Sequence, residues 1–374
     1  MIYFLDNAST TKCFDEVNEE ILRASKDDFY NPGALYAQGF ETKKKLDDDR
    51  DVVLKAIGGA GYKVIFTSSA TESNNLALNQ VNKNAKIIIG GGEHPSIYEA
   101  ALSLKNRGVD VVFAPLNKDG CIDVERFYEL MTPDVSFVSI MHVSNETGNI
   151  NAISELCHFA KSINPKVLFH VDGVQAFMKI DVSLQVLGVD MYTISSHKVH
   201  GPKGIGALIC KKNLNLKPEI YGGGQEQGVR SGTENYPLIA GFIKAVRLTM
   251  PRIENNLQIV TCKNNALLNE LSQSGVSYEI NGAGEKSPYI LSLSFVGVRG
   301  EVLLHMLEEY GILVSTGSAC STKKIGNRVL KAMGKNQQQI EGNLRISFDV
   351  ADDIDVQYVS KAIKECVNKY KRIV

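Results

Sequence analysis

The stretch VDMYTISSHK at residues 189–198 decides the fold, because it is an apolar run that ends in a polar turn containing Lys198. A second apolar run, at residues 166–171, is followed by Asp172 and Gln175. Near-continuous runs of Val, Ile and Phe are typical of strands that are covered on both faces. The two runs therefore predict buried strands with polar side chains at their carboxyl ends.

Similar apolar runs alternate with amphipathic stretches through the first part of the chain. The predicted strands are residues 64–67, 86–89, 109–114, 135–141, 166–171, 191–195 and 205–210. The predicted helices between them are residues 72–80, 96–106, 123–130 and 153–162. Strand–helix alternation of this kind predicts an α/β fold with a mostly parallel, seven-stranded sheet covered by helices.

The pattern changes after a long predicted helix at residues 234–272, which is interrupted near Met250-Pro251. Beyond it, the predicted strands are residues 289–295, 312–315 and 343–348, and the predicted helices are residues 301–309 and 353–372. This mixture predicts a smaller α+β domain, which the N-terminal arm joins. We expect an arm at residues 1–14, a large domain at 15–250 and a small domain at 251–374.

Composition excludes several classes of function. The formal net charge of −1 leaves no electrostatic footprint for nucleic acid or for a membrane surface. The seven cysteines are odd in number and lack CxxC spacing, which predicts a reducing compartment with no disulfide framework and no zinc site. No stretch approaches the ~18 apolar residues of a membrane helix, and the N-terminus lacks a signal-peptide pattern. We therefore expect a cytoplasmic protein.

Polar side chains follow five of the predicted strands, at the point where each strand ends. They include Thr71, His94, Asn145, Asp172 and Lys198. Ligands bind beyond the carboxyl ends of the strands in open parallel sheets, so these side chains are expected to converge. Each of them alone has an ordinary structural explanation, and their convergence is what predicts a site.

Asp172 and Lys198 together predict a pyridoxal phosphate (PLP) site. A lysine amine can form a Schiff base with PLP, and an aspartate can keep the pyridine nitrogen protonated. Taken singly, Lys198 is more often a solvated lysine beside a Gly-Pro turn, and Asp172 a turn former. Lys203 is a rival for the Schiff base, but it is farther from the strand end. Residues 69–72 predict a helix N-terminus, where Thr71 can help to bind a phosphate.

Three further stretches carry candidate functional groups. Cys320 lies among small polar residues after a predicted strand, so it is either a reactive exposed thiol or, as most free cysteines are, a buried one. Arg345 alternates with apolar residues and is either a surface arginine or a clamp for a carboxylate. The glycine-rich residues 221–234 lack P-loop spacing and form either a surface loop or a loop that reaches a phosphate across a subunit interface.

As an ordered set, these motifs resemble the cysteine desulfurases of the NifS/IscS kind, in the class-V aminotransferase branch of fold-type-I PLP enzymes. The resemblance extends over essentially the whole chain. Its motifs are residues 5–11, 31–32, 70–75, 93–94, 142–148, 170–175, 196–198, 230–233, 318–320 and 345–347.

The resemblance implies how PLP is held. Lys198 would form the Schiff base, Asp172 would pair with the pyridinium nitrogen, Gln175 would bond the ring O3′, and His94 would stack on the ring and assist proton transfer. The phosphate would be bound by Thr71, Ser195, His197 and, from the partner subunit of a homodimer, Thr233.

The resemblance also implies the reaction. Asn145 and Arg345 would orient the carboxylate of L-cysteine, and Cys320 would take its sulfur as a persulfide, leaving L-alanine. An acceptor protein for iron–sulfur cluster assembly or for tRNA or cofactor thiolation would then receive the sulfur. A selenocysteine lyase or another class-V PLP enzyme is an alternative, and a non-catalytic scaffold that binds sulfur carriers is a more remote one.

Overall fold

The computed structural model describes residues 2–317, 328–351 and 353–373, so Cys320 lies outside the described residues. The strands of the described chain are β1 (Tyr3–Phe4), β2 (Tyr62–Thr67), β3 (Lys86–Gly90), β4 (Asp110–Ala114), β5 (Val135–Met141), β6 (Leu168–Asp172), β7 (Met191–Ser195), β8 (Gly206–Lys211), β9 (Glu279–Ile280), β10 (Ile290–Ser294), β11 (Ile312–Leu313) and β12 (Asn343–Ser347).

The α-helices of the same residues are α1 (Asp15–Asp27), α2 (Ala37–Ala56), α3 (Ala70–Leu78), α4 (Pro95–Asn106), α5 (Val124–Leu130), α6 (Ile153–Ile163), α7 (Leu184–Leu187), α8 (Tyr236–Thr249), α9 (Ile253–Ser274), α10 (Gly300–Glu309), α11 (Arg328–Ala332), α12 (Gln337–Glu341) and α13 (Val356–Ile373). None of these helices is long and apolar enough to span a membrane.

Seven strands form the central sheet, in the order β2-β8-β7-β6-β5-β3-β4. All neighbours are parallel except around β8, which runs antiparallel to both β2 and β7. Successive side chains of a strand point to opposite faces, so Ile88 packs in one hydrophobic cluster while Ile87 and Ile89 pack in another. Both faces of the sheet are therefore covered, and the predicted α/β fold is confirmed.

The predicted strand ends are close to the observed ones. The bounds of β5 and β7 are as predicted, and those of β2, β6 and β8 differ by at most two residues. Helix α3 begins two residues before its predicted start, because Ser69 caps it: the Ser69 hydroxyl accepts a hydrogen bond from the backbone N–H of Glu72 at 3.2 Å. The cap places the start of α3 directly after β2.

Helices α1 and α2 were not predicted from the sequence. Both are rich in charged residues, and α1 buries only Val17 and Ala24. The hydrophobic periodicity that identifies a helix is weak in α2, whereas α1 is clearly amphipathic, so its pattern is present in the sequence despite the many charged residues. Both helices pack against α8, and this tertiary contact stabilises them.

The N-terminal arm packs with the C-terminal part of the chain. Strand β1 pairs with β11, and Asp6 forms a bridge with Ser347. Leu5 and Ala8 belong to the same hydrophobic cluster as α9, α10 and α13. Strands β9, β10 and β12 form an antiparallel sheet within this region. The arm therefore crosses from the small α+β layer to the edge of the central sheet.

Candidate active site

A cavity of about 270 Å³ lies at the carboxyl ends of β5, β6 and β7. It brings together nine of the eleven side chains predicted from the sequence: Thr71, His94, Asn145, Asp172, Gln175, Ser195, His197, Lys198 and Arg345. Ala8 and Ser9 of the N-terminal arm, and Ser315 and Gly317 of the small layer, complete part of its wall. The cavity therefore lies between the large sheet and the small α+β layer.

Lys198 lies in a 3-10 turn that directly follows β7. Its Nζ donates hydrogen bonds to the backbone oxygens of Ala8 at 2.7 Å and of Ser9 at 2.5 Å. The pKa of Lys198 is lowered to about 7, mainly by burial. Among the neighbouring charges, that of Lys179 contributes most to the lowering. A neutral amine is thus accessible near neutral pH. The rival Lys203 is exposed to solvent and is not among the residues that line the cavity.

Asp172 ends β6 and is held at both carboxylate oxygens. Its Oδ2 accepts a hydrogen bond from Asn74 Nδ2 at 2.8 Å, and its Oδ1 accepts one from the backbone N–H of Val174 at 3.1 Å. The next residue must be glycine, because a Cβ at Gly173 would lie 1.8 Å from the ring of the buried Tyr192. The tight packing of β6 on β7 therefore fixes where the carboxylate points.

Gln175 is oriented by groups on both sides of its amide. Its Nε2 donates to the backbone oxygen of Ala8 at 2.9 Å, and its Oε1 accepts from Lys179 Nζ at 2.9 Å. Burial lowers the pKa of Lys179 to about 8. Ala8 thus accepts from both Gln175 and Lys198, which links the two through one carbonyl.

His94 is the N-cap residue of α4, with its imidazole at the cavity wall. Its Nδ1 accepts a hydrogen bond from the backbone N–H of Ser96 at 3.2 Å and lies 2.8 Å from the Ser96 hydroxyl. Desolvation by the surrounding protein lowers the pKa of His94, the positive charges of Lys198 and Arg328 lower it further, and Asp172 opposes them. The ring is therefore biased toward its neutral form.

One end of the cavity is suited to an anion. Thr71 lies in the first turn of α3, where backbone N–H groups have no partner within the helix and favour negative charge. Ser195 and His197 line the same cavity. His197 contacts the Thr10 hydroxyl through Nδ1 at 3.1 Å, and burial lowers the pKa of His197 to about 4, so its imidazole is neutral near neutral pH.

Arg345 on β12 is almost fully buried and lines the same cavity. Its Nη2 donates to Asp6 Oδ1 at 2.7 Å and to the Ser9 hydroxyl at 2.8 Å, and its Nη1 donates to the backbone oxygen of Asn145 at 2.8 Å. Its Nε is buried without a partner among the described residues. The guanidinium is therefore rigidly held, and it keeps an unused donor.

Thr233 lies apart from the other predicted residues. It lines a neighbouring cavity of about 200 Å³ together with Ser68, Gly204 and Arg230. Arg230 Nε is tied to Glu72 Oε1 at 2.8 Å, which anchors this glycine-rich region to the first turn of α3. Within one subunit, Thr233 is thus separate from the residues around Lys198.

A comparison with known protein families identifies the chain. The model of the aminotransferase class-V family matches residues 3–359. The chain belongs to this family. Its relatives include cysteine desulfurase IscS 1 of Archaeoglobus fulgidus, 35% identical over 365 residues that cover 95% of this chain and 94% of the relative. Cysteine desulfurase IscS of Dictyoglomus turgidum is 33% identical, with 99% of this chain and 95% of the relative covered.

Solved structures of class-V proteins have the same fold. A NifS-like protein superimposes with a TM-score of 0.90 at 32% identity, covering 99% of this chain and 100% of the other. The resemblance inferred from motifs alone is thereby confirmed over the full length.

PLP is the cofactor of this class-V branch, and the cavity fits it. Asn74 Oδ1 and Arg345 Nε are buried without partners among the described residues, although both residues line the cavity. Buried polar atoms are rarely left unpaired, so a polar ligand or water is needed to satisfy them. Lys198 would hold the aldehyde carbon, Asp172 the pyridine nitrogen, and the start of α3 the phosphate.

Three residues at the site were missed by reasoning from the sequence: Asn74, Ser96 and Lys179. Asn74 follows Thr71 by three residues on α3, so the two share a helix face, and this spacing could have identified it. Ser96 looked like part of a helix start and nothing more. Lys179 follows Gln175 by only four residues, so their contact is local, but no sequence pattern marks this lysine as buried.

Proposed function

We propose that this chain is a PLP-dependent cysteine desulfurase, which converts L-cysteine to L-alanine and transfers the sulfur to Cys320 as a persulfide. One observation carries the proposal: Lys198, Asp172 and Arg345 line a single cavity whose wall includes Gly317, three residues before Cys320. The named relatives of similar length, both cysteine desulfurases, support it.

The residues around the cavity have different roles in the proposed reaction. PLP, when bound, supplies an electron sink that stabilises negative charge on the substrate Cα. Arg345 and Asn145 orient the substrate carboxylate, and Arg345 has the planar fork that matches such a group. Lys198 Nζ accepts the Cα proton, because its lowered pKa of about 7 makes the neutral amine accessible near neutral pH. His94 covers the other side of the reacting centre.

Cys320 supplies the nucleophile in this proposal. Its thiolate attacks the sulfur of the substrate, and the carbon–sulfur bond breaks with its electron pair left on the substrate Cβ. Cys320 becomes a persulfide, and protonation of Cβ allows alanine to be released. Cys320 follows Gly317 by three residues, a span of at most roughly 11 Å. That limit supports access of the thiol to the cavity.

Incubation of the purified protein with L-cysteine tests the function directly. We expect L-alanine in solution and a mass gain of one sulfur atom on the peptide that contains Cys320. The variant Cys320→Ala should keep the absorbance of bound PLP but form no alanine from cysteine. Normal turnover by that variant would refute the assignment. Turnover of selenocysteine without turnover of cysteine would indicate a selenocysteine lyase, and a colourless, inactive protein would indicate a scaffold.

A homodimer is part of the proposal. Thr233 lies outside the cavity of its own subunit, as expected if it serves the phosphate of a partner. Phe29, Leu35, Tyr36 and Phe40 expose large apolar side chains within one short segment, and a cluster of this kind is typical of an interaction surface. A second copy of the chain would cover this surface.

The domain limits, the location and the sulfur acceptor are also proposals. An arm at residues 1–14, a large domain at 15–250 and a small one at 251–374 are supported by the packing of Leu5 with α9 and α13. The six cysteines of the described chain are free thiols, which supports a reducing compartment such as the cytoplasm. A protein that accepts persulfide sulfur is the expected partner.

A further inference from the structure

A continuous chain of hydrogen bonds joins Asp172 to His94 across the cavity wall. Asn74 Nδ2 lies 2.8 Å from Asp172 Oδ2 and 2.8 Å from the hydroxyl of Ser96. The Ser96 hydroxyl lies 2.8 Å from His94 Nδ1. The two groups predicted to contact opposite parts of the cofactor are thus connected through two side chains that have no assigned role.

The direction of the chain is fixed at its Asp172 end. An ionised carboxylate only accepts hydrogen bonds, so the atom of Asn74 that faces it is the NH₂ group and not the oxygen. The same NH₂ group has a second proton, which it donates to the Ser96 hydroxyl. Ser96 therefore accepts from Asn74, and its own proton remains available for His94.

The direction is fixed independently at the His94 end. The backbone N–H of Ser96 points at His94 Nδ1, at 3.2 Å, and a backbone N–H can only donate. Nδ1 must then carry a lone pair, so the Ser96 hydroxyl donates to it as well. A neutral imidazole holds one proton, which must reside on Nε2.

We propose that Ser96 and Asn74 are positioning residues that hold His94 as the neutral Nε2–H tautomer, so that His94 presents a hydrogen-bond donor to the cavity. The inference rests on the proposed function, in which His94 covers the reacting centre. Lys198 Nζ then accepts the Cα proton, whereas His94 Nε2–H donates a hydrogen bond and keeps its proton, so the two groups have different roles. His94 does not compete with Lys198 for the Cα proton.

The charges that face His94 agree with a neutral ring. Desolvation disfavours a charged His94 most, and Arg328 on α11 adds to this effect, as does Lys198 whenever it is protonated; Asp172 at the end of β6 opposes them. Glu93 is fully buried, and burial raises its pKa well above the ordinary value, so it adds no compensating negative charge. The amino end of α4, which His94 caps, disfavours a cation as well.

The test is the titration of His94 by nitrogen NMR in the PLP-loaded protein labelled with ¹⁵N-histidine. The variant His94→Gln identifies the resonances. In the unmodified protein we expect a protonated Nε2 and an unprotonated Nδ1. Ser96→Ala removes a hydrogen-bond donor to the neutral ring, so the pH midpoint of the His94 titration should rise by roughly 0.5 to 1 pH unit. The apparent pKa of the acidic limb of the kcat/KM profile should increase by a similar amount.

Two controls separate this effect from a general disturbance of the helix. Ser96→Thr keeps the hydroxyl and should keep the midpoint. Ser103→Ala makes the same substitution on an exposed position of α4 and should change nothing. A proton on Nδ1 in the unmodified protein would overturn the proposal. So would an unchanged midpoint in Ser96→Ala, because the hydroxyl would then not favour the neutral ring, or a lower one, because the hydroxyl would then be accepting a hydrogen bond from Nδ1–H.

The NMR result does not depend on turnover, so the two proposals can fail separately. Absence of alanine from L-cysteine contradicts the desulfurase function, whatever the tautomer of His94. The wrong tautomer contradicts the role of Ser96 and Asn74, even in an active enzyme.

Discussion

The ammonium of Lys179 donates a hydrogen bond to Gln175 Oε1 at 2.9 Å, inside the protein and behind the candidate PLP site. This bond leaves the NH₂ group of Gln175 directed toward Ala8, the same carbonyl that accepts from Lys198. A second positive charge is thereby placed near the amine that must become neutral. Lys179 thus has two effects: it orients the NH₂ donor of Gln175, and its charge lowers the pKa of Lys198.

The substitution Lys179→Met should raise the pKa of Lys198 by roughly one, because it removes the largest repulsive charge near that amine. Rebinding of PLP by the apoprotein requires the neutral amine, so its rate should increase with pH through a midpoint near 7 in the unmodified protein. The midpoint, followed by absorbance, should move to higher pH in Lys179→Met. Lys179→Arg keeps the charge and should keep the midpoint; equal midpoints for all three proteins would contradict the argument.

Lys198→Ala should abolish the visible absorbance of bound PLP, since no amine then remains at the end of β7 to hold it. Lys203→Ala is the matched control, because Lys203 is exposed, outside the cavity lining, and five residues away. It should retain full absorbance. Absorbance spectra of the two purified variants decide the matter, and the reverse pattern would move the lysine of the site to position 203.

Arg345→Lys should raise the KM for L-cysteine by roughly 10- to 100-fold, because an ammonium cannot replace the planar fork of a guanidinium. The absorbance of bound PLP should be unchanged, since Arg345 lies on the substrate side. Steady-state kinetics of alanine formation measure the effect. Arg299→Lys, the same exchange at an exposed position, should leave KM unaltered, and a similar KM for both variants would argue against a carboxylate clamp.

Gly173→Ala should lower the free energy of unfolding by about 1–3 kcal/mol, because its methyl group meets the ring of Tyr192. Urea denaturation measures the loss. The same substitution in a Tyr192→Leu background should cost less, since the smaller side chain gives room. Equal costs in the two backgrounds would show that the clash is not the cause.

A shared active site predicts complementation between subunits. In a dimer of one Lys198→Ala and one Thr233→Ala subunit, one site keeps both native residues, so the purified heterodimer should have about half of the normal activity. Placing both substitutions in one subunit, opposite an unmodified one, leaves no intact site and is the matched control. Similar activity of the two heterodimers would contradict a contribution of Thr233 across the interface.

Much of the site could be predicted because the ends of buried strands can be recognised in the sequence. Asp172 and Lys198 each follow a continuous apolar run, and parallel strands bring their carboxyl ends to one edge. Arg345 was predictable as a candidate from its alternation with apolar neighbours. Its engagement with Asp6 and Ser9 was not, because more than 330 residues of chain separate them.

Positions without a local pattern could not be predicted. Helix α2 lacks a clear apolar face and packs against α8, whereas the amphipathic pattern of α1 is present in the sequence. Ser96 is a common helix-start residue whose hydroxyl acquires a function only when α3 brings Asn74 beside it. Lys179 resembles any other lysine in the sequence, and only burial next to Gln175 changes its properties.

By itself, the sequence determined the α/β class, the family and the chemical types at the strand ends, because periodicity and motif order are properties of the chain. The tertiary structure alone decided which nitrogen of His94 carries the proton, how Gln175 is turned and why residue 173 is glycine. Hydrogen-bond direction and electrostatic shifts depend on distances that are partly local, as between Ser96 and His94, and partly long-range, as between Asn74 and Asp172. Those distances exist only after the strands and helices have packed.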